Sequence, residues 1–456
     1  MSSTLSREPI FSEDGFIGRE AVLQWVAGML ERPSPQNCNI VGEPRIGKTS
    51  LLYRIYQERI GAGGYKSLAV WVRLAELPDY QPMTFWQALL TRLQQSSQQP
   101  SDDTFEDVQD VFDTLDVLIE ELLEDEVYDR ILFLIDDFDL LLSGIRVRDL
   151  DWLRSLATRY ADNFAFVISS GESLVDLEEK MRIHENQQSV SPFANMFHNR
   201  SLSLLSVEDA QLLCQETAVS EQQPEISQDE LTFLLAEAGR HPALLKIACS
   251  YLFEAKQYEQ GADMLEDVKG DVRLDRQVSW LFRQLWQRRT GDEQAILAGL
   301  ANGDTAVSDR ILRKRLVKLL GLVEERDEAD ALFADAFAYW INRNKDEDLS
   351  DEVTVSETAV SPSDELNYVP EKRLVQIEDR EVRLTPLEGR LLVYFIENEN
   401  EVCTIQDLLE NVWGPGKTRS VVEKAVNRLR IKIEHDPKRP RFILSARGEG
   451  YIFRRG

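Results

Sequence analysis

Residues Asn39–Leu52 read NIVGEPRIGKTSLL. The apolar run ending at Val41 predicts a buried strand. Gly42, Glu43, Pro44, Arg45, Ile46, Gly47, Lys48 and Thr49 then follow the G-x-x-x-x-G-K-[ST] pattern, and Ser50, Leu51 and Leu52 carry on into a predicted helix. Gly42 and Gly47 permit a tight backbone path that turns successive N–H groups inward, and the following helix aims its positive end at the same point. Lys48 has the reach for β- and γ-phosphates, and the Thr49 hydroxyl suits Mg²⁺. The pattern implies a nucleotide phosphate cradle. The bland alternative, a glycine turn that happens to hold a lysine, does not account for a strand before it and a helix after it.

Upstream, Gly15-Phe16-Ile17-Gly18-Arg19-Glu20 precedes apolar residues at helical spacing. A turn with Gly18 and Arg19 at that distance can fold over an adenine, or simply cap the first helix. Downstream, a strand opens at Ser67, Trp86–Leu93 belongs to a helix, and residues 102–126 form an acidic helical stretch. Alternating strands and helices predict a parallel α/β sheet covered on both faces. Ile131-Leu132-Phe133-Leu134-Ile135 runs into Asp136-Asp137-Phe138-Asp139, a central strand delivering carboxylates to the end where ligands bind in open sheets. Asp136 is expected to hold Mg²⁺ and Asp137 to orient or deprotonate a water, with Lys48 completing the catalytic set. Asp139 reads as facing solvent. Phe164–Gly171 is the next strand, with Ser169 and Ser170 as either a phosphate sensor or a turn cap. Arg200 is placed in a polar loop ahead of a strand at Leu202–Leu205, and is a candidate arginine finger.

Residues 206–255 read as helices, with Gly239-Arg240-His241-Pro242 as a stop and restart. Residues 277–343 read as three helices, a two-strand hairpin and a last helix, a winged-helix pattern. The Gly18-Arg19-Glu20 box, GEPRIGKTSLL, LIDDFD, the small-residue strand end, the G-x-x-P element and this winged helix together resemble the signal-transducing STAND P-loop ATPases, close to the AAA+ and archaeal ATPase group, over about residues 10–343. The resemblance implies ATP or ADP and Mg²⁺ as ligands, slow regulatory hydrolysis, and Pro242 near the nucleotide base. Many relatives set a winged-helix histidine against bound ADP, but no histidine occurs here between His241 and His435.

The chain has 456 residues, enough for several domains, and a net charge of −28. From Val412 to Gly456, however, twelve Lys/Arg face four Asp/Glu, so this stretch carries +8 and the remainder −36. The cysteines Cys38, Cys214, Cys249 and Cys403 match no metal or disulfide spacing and read as buried apolar residues in a reducing cytoplasm. No signal peptide and no membrane span are expected. Residues 345–365 hold eight acids and no aromatic residue, which predicts a disordered linker. Beyond it come a hairpin about Glu378-Asp379, helices to Glu397, over Thr404–Trp413 and over Arg419–Glu434, and a wing at 442–453.

In the third of these helices Val422, Val426, Leu429 and Ile433 share one face, leaving Lys424, Asn427, Arg428 and Lys432 outward, a split suited to a DNA major groove. Leu384-Thr385-Pro386-Leu387-Glu388, Val412-Trp413-Gly414, Asn427-Arg428-Leu429-Arg430 and Arg447-Gly448-Glu449-Gly450-Tyr451 resemble the OmpR/PhoB-type winged-helix DNA-binding domain. That likeness implies Asn427 and Arg428 facing the groove, Arg430 and Tyr451 on the sugar-phosphate backbone, and Arg447 in the minor groove. Ala425 stands where relatives often carry a longer polar residue. No phosphoacceptor receiver domain is expected before it.

The expected organisation is thus a P-loop NTPase domain (1–205), a helical lid (206–256), a winged-helix subdomain (257–343), an acidic linker (344–368) and a DNA-binding domain (369–456). The expected function is an ATP-operated switch, cytoplasmic and away from membranes. It would form a homo-oligomer in the ATP state, receive its signal from another protein, and bind double-stranded DNA in transcription or defence. An AAA+-like DNA-loading or remodelling engine, or a scaffold with degenerate ATPase activity, are the alternatives. The acidic linker, acting as a DNA mimic, is a further way to mask the basic helix.

Overall fold

The computed structural model describes residues 16–58, 64–99, 104–124, 128–185, 193–256, 262–326, 329–344, 366–369, 374–377, 380–384, 386–413, 419–434, 439–446 and 450–455. The predicted linker over 345–365 lies outside them. Contacts divide the chain into two units, residues 1–253 with 268–349, and residues 254–267 with 350–456.

The first unit is built on five parallel strands, β1 (Asn37–Gly42), β2 (Ser67–Arg73), β3 (Arg130–Asp136), β4 (Phe164–Ser170) and β5 (Phe197–Leu202), in the order β2-β3-β4-β1-β5. Every residue of β3 and β4 is buried, as the unbroken apolar runs require of a sheet covered on both faces. The period of two divides each strand between two cores. Ile131, Phe133 and Ile135 join Phe164, Phe166 and Ile168 against the helices Pro82–Ser97, Val108–Glu124 and Val147–Arg159. Leu132 and Leu134 join Ala165 and Val167 against Glu20–Leu30 and the phosphate-turn helix Lys48–Gln57. The strand carrying the phosphate turn and the strand carrying the acids are therefore separated only by β4, and both end on the same edge of the sheet.

The last strand of this sheet differs from expectation. It spans Phe197–Leu202 and includes Arg200, which lies in an edge strand opposite Ile40 rather than in a loop. His198, Asn199 and Arg200 are all exposed, so the strand lacks an apolar period and the run at 202–205 was a misleading marker. After this strand, Val207–Ser220, Gln228–Ala238 and Pro242–Ala255 are helices, the first two capped by Ser206 and Ser227. Arg276–Gln287, Gly291–Ala301 and Arg310–Lys314 precede an antiparallel pair, β6 (Val323–Arg326) and β7 (Ala329–Leu332), and a final helix Asp335–Asn344.

In the second unit, β8 (Asn367–Val369), β9 (Leu374–Ile377) and β10 (Arg380–Arg383) form an antiparallel sheet, followed by helices Pro386–Glu397, Ile405–Leu408 and Arg419–Ile433. A second sheet joins β11 (Val402–Thr404), β13 (Gly450–Phe453) and β12 (Ile443–Ala446), the wing. Leu366 is buried in this unit's core together with Val375 and Leu391. Folded structure thus begins inside the stretch expected as linker up to 368, because three residues of strand are too short to show a period. The four cysteines are buried and free. No helix among the described residues is long and apolar enough to cross a membrane.

Candidate functional site

The turn after β1 presents backbone to whatever it binds. Gly47 has φ +105° and stands at the N-cap of the helix Lys48–Gln57, where it has no side chain to accept from the helix's first N–H groups. An uncapped helix start with glycine before it is an anion site. Lys48 is buried, and its Nζ donates to Gly42 O at 2.8 Å and Glu43 O at 3.2 Å, across the mouth of the turn. Burial pulls the Lys48 pKa down, while Asp139, Asp137 and Asp136 oppose it. Thr49 follows at the second helical position, half-buried, and Ser50 is buried beneath it.

The acids reach the same place from β3. Ser169 Oγ donates to Asp136 Oδ1 at 2.5 Å and accepts the Asp137 N–H at 3.0 Å. Ser170 Oγ is committed to Glu172 O at 2.6 Å and Asn39 Oδ1 at 3.1 Å. Both serines, candidates for a phosphate sensor, therefore orient protein groups. Asp137 sits at φ +58° and its carboxyl is pushed up to about 6, first by burial and then by the adjacent Asp136.

Asp139 does not face solvent. Its Oδ1 accepts the Gly171 N–H at 3.0 Å, and its Oδ2 lies 3.6 Å from Arg288 Nη2. Arg288 and Arg289, at the end of the helix Arg276–Gln287, were not singled out from the sequence. Arg289 Nη2 pairs with Glu43 Oε1 at 2.9 Å, with side chains only 4% and 5% exposed. Two arginines just outside a helix ordinarily read as surface charge; the only hint was their place directly before the Thr290 cap of the next helix.

From the lid, His241 is buried and its Nε2 lies 3.2 Å from Pro44 O. A carbonyl only accepts, so Nε2 carries the proton, and burial lowers this imidazole to about 4, keeping it neutral. Pro242 is half-buried and starts the next helix. Gly18 and Arg19 both take left-handed backbone, and the Arg19 guanidinium donates to Ser203 O at 2.7 Å and Ile46 O at 3.2 Å. Arg19 therefore ties the phosphate turn to the end of β5. Arg45, at φ +59°, reaches outward to Gln277 at 3.3 Å and lies over the Trp280 ring at 5.5 Å. Ile46 is buried in the adjoining core.

Six buried atoms around this turn have no hydrogen-bond partner: Glu43 Oε2, Asp136 Oδ2, His241 Nδ1, Arg288 Nη1, and Arg289 Nε and Nη1. Native interiors keep such atoms rare, and each costs about 1–3 kcal/mol when left unmatched. Their gathering here, cationic donors beside an acidic acceptor, fits a phosphate chain with a divalent cation. Asp136 Oδ2 and the Thr49 hydroxyl are oxygen donors of the kind such a cation takes.

In the second unit, Val422, Ala425, Val426, Leu429 and Ile433 of the helix Arg419–Ile433 are buried and Asn427 is exposed. Ala425 thus belongs to the core rather than to a base-reading face. Lys432 is turned inward as well, its Nζ 2.7 Å from Glu388 Oε2 with both side chains buried. A helix turns 100° per residue, which sets Lys432 beside the Leu429–Ile433 seam. Arg430 spends its donors on the wing, at 2.6 Å and 2.9 Å to Ile443 O and 2.9 Å to Ser445 Oγ, and lies over the half-buried Tyr451 ring at 5.4 Å. Arg428 is half-buried and paired with Glu254, both belonging to the second unit. Arg447 lies outside the described residues, and Lys424 lies on the same helix as Asn427.

Comparison with known proteins agrees with both parts. Residues 111–306 match the family model described as novel STAND NTPase 2, and residues 379–453 match that of transcriptional regulatory protein, C terminal. The probable transcriptional regulator ycf27 of Galdieria sulphuraria is 41% identical over 88 residues, 18% of this chain and 34% of that protein. The KDP operon transcriptional regulatory protein KdpE of Escherichia coli K12 is 39% identical over 83 residues, 18% of this chain and 37% of that protein. The chain spans about a third of the length of these curated relatives. A Walker-type ATPase of Pyrococcus abyssi superposes over 74% of this chain and 99% of its own with a TM-score of 0.50 and 14% identity, a likeness of fold alone.

Proposed function

We propose that this chain, a STAND-type P-loop NTPase joined to a transcriptional-regulator DNA-binding domain, is an ATP-operated transcriptional regulator. The observation that carries the reading is the cluster of unmatched buried polar atoms around the Gly42–Thr49 turn. Its arginine donors suit phosphate oxygens, and its carboxylate oxygens suit a divalent cation.

The backbone N–H groups of Arg45, Gly47, Lys48 and Thr49, at the turn and the start of the following helix, cradle the phosphates, and Lys48 turns from the Gly42 and Glu43 carbonyls toward them. Thr49 and Asp136 hold Mg²⁺, with Ser169 fixing the Asp136 carboxylate. When bound, MgATP supplies a γ-phosphoryl group for transfer to water. Asp137, with its carboxyl near pH 6, orients that water and takes its proton. Hydrolysis on this site is slow and regulatory. The nucleotide state sets the conformation of the first unit and its assembly into a homo-oligomer, under a signal from a partner protein.

On the DNA side, Asn427 and Lys424 face the major groove, Arg428 joins them when released from Glu254, and Arg447 and Tyr451 serve the backbone and minor groove. Arg430 acts indirectly, holding the wing to the helix. Pro242 and the Gly18-Arg19 turn border the base.

The test measures DNA affinity and particle mass with ADP, ATP and a non-hydrolysable analogue, for wild type and Lys48→Ala. Different DNA affinity or mass between ADP and the analogue, lost in Lys48→Ala, is expected. Identical affinity and mass whatever nucleotide is supplied would refute the switch. Fast turnover stimulated by DNA would replace it with a remodelling engine.

A further inference from the structure

We propose that Arg288, delivered from the segment that follows the lid, is the residue by which this site distinguishes a nucleoside triphosphate from a diphosphate, and that the Glu43–Arg289 ion pair positions it. The inference rests on the nucleotide reading above and deepens it.

Three observations place Arg288. Its Nη2 is 3.6 Å from Asp139 Oδ2, and Asp139 in turn holds the N–H of Gly171 at the end of β4. A Cβ at residue 171 would clash with Arg288 Nη1, so any larger residue there must displace this guanidinium. Nη1 is buried without a hydrogen-bond partner. An arginine with one nitrogen near an acid and another buried and unmatched is poised for a second anion.

The anion's position follows from its neighbours. Arg288 acts electrostatically on both Lys48 and Glu43, so it lies close to the turn that carries them. It also stands beside the acid-bearing end of β3, where the terminal phosphate must meet Mg²⁺ and water. A diphosphate is already met by the cradle and Lys48; the outermost phosphate adds the charge that Arg288 is placed to match.

Arg289 does not compete for this role. Its guanidinium is tied to Glu43 within the phosphate turn itself, which fixes the adjacent residue against the cradle. The pair also links the turn to the helices on either side of Arg288–Arg289, so loss or gain of the terminal phosphate is transmitted to residues 276–301 without any histidine.

The experiment uses the full-length chain and measures binding of ADP and of a non-hydrolysable ATP analogue, with Mg²⁺, by calorimetry. Arg288→Ala is expected to weaken the analogue tenfold or more while changing ADP less than threefold, the size of one lost charge-assisted hydrogen bond. Arg288→Lys, which keeps the charge but not the fork, should lie between. Gly171→Ala should reproduce the loss of discrimination by displacing the guanidinium with every charge retained. Equal weakening of both nucleotides, or of neither, in folded Arg288→Lys and Gly171→Ala would overturn the assignment. If wild type binds neither nucleotide, it is the nucleotide reading that fails instead.

Discussion

Replacing Arg289 by methionine tests how firmly the phosphate turn is held to the winged-helix segment. Arg289 Nη2 and Glu43 Oε1 are 2.9 Å apart, with side chains 4% and 5% exposed. At an effective dielectric near 20, unit charges about 3 Å apart attract by roughly 5–6 kcal/mol, most of which is offset by desolvation of the two ions. The balance changes when one partner goes, because the other stays buried. Arg289→Met is therefore expected to cost about 3–5 kcal/mol. Adding Glu43→Gln removes the stranded charge and should recover part of that loss, so the double variant unfolds later than Arg289→Met alone. Burial already pushes the Glu43 carboxyl above its usual range, with Arg289 drawing it back. Without Arg289 the folded pKa rises further. The native state then holds its proton more tightly than the unfolded chain, and the deficit should shrink as pH falls through that raised value. Urea unfolding followed by tryptophan fluorescence is the assay, since seven of the eight tryptophans lie in the first unit. A cost below about 1 kcal/mol for Arg289→Met, or a double variant whose loss equals the sum of the singles, would refute the reasoning.

Three further outcomes follow from the same geometry. Single-turnover ATP hydrolysis should rise with pH as Asp137 ionises, with a midpoint below the value of about 6 of the metal-free site because Mg²⁺ on Asp136 offsets that neighbour's charge, and Asp137→Asn should abolish the rise; an unchanged midpoint in the variant would assign it to another group. Arg430→Ala should destabilise the DNA-binding domain by about 1–3 kcal/mol through its lost bonds to Ile443 and Ser445. Its slope of log affinity against log salt should stay within about 0.5 of wild type, whereas a lost phosphate contact lowers the slope by about 0.9. Lys432→Met, which removes the ammonium 2.7 Å from the buried Glu388 carboxylate, should lower the midpoint of a thermal melt with little effect on the salt slope.

That the Gly42–Thr49 turn and the Asp136–Asp137 pair follow strands of one sheet was readable from sequence because each is a short local pattern directly after an apolar run. The sheet was readable for the same reason: β3 and β4 are unbroken apolar runs. What failed to show was whatever depends on distant partners. Asp139 looked like a solvated acid until the fold brought Arg288 and Gly171 beside it. Arg200 was read into a loop because His198, Asn199 and Arg200 are three exposed polar residues in a row, which hides the period of a strand. Lys432 and Arg430 looked like free cations on a groove-facing helix, and only Glu388 and the Ile443–Ser445 strand reveal them as internal ties. Ala425, small enough to suit either face, went to the core.

Asn39 is fully buried in the middle of β1, where its amide donates to Asn199 Oδ1 at 3.0 Å on β5 and its carbonyl oxygen accepts from Ser170 Oγ at 3.1 Å on β4. Apolar neighbours would tolerate several threadings of the last strand; this polar knot tolerates one. A slip of β5 by one residue would turn Asn199 to the far side and leave the amide unmatched, at about 1–3 kcal/mol. The asparagine thus acts as a proofreader of register, favouring the alignment of the edge strand that also seats Leu202 against Gly42.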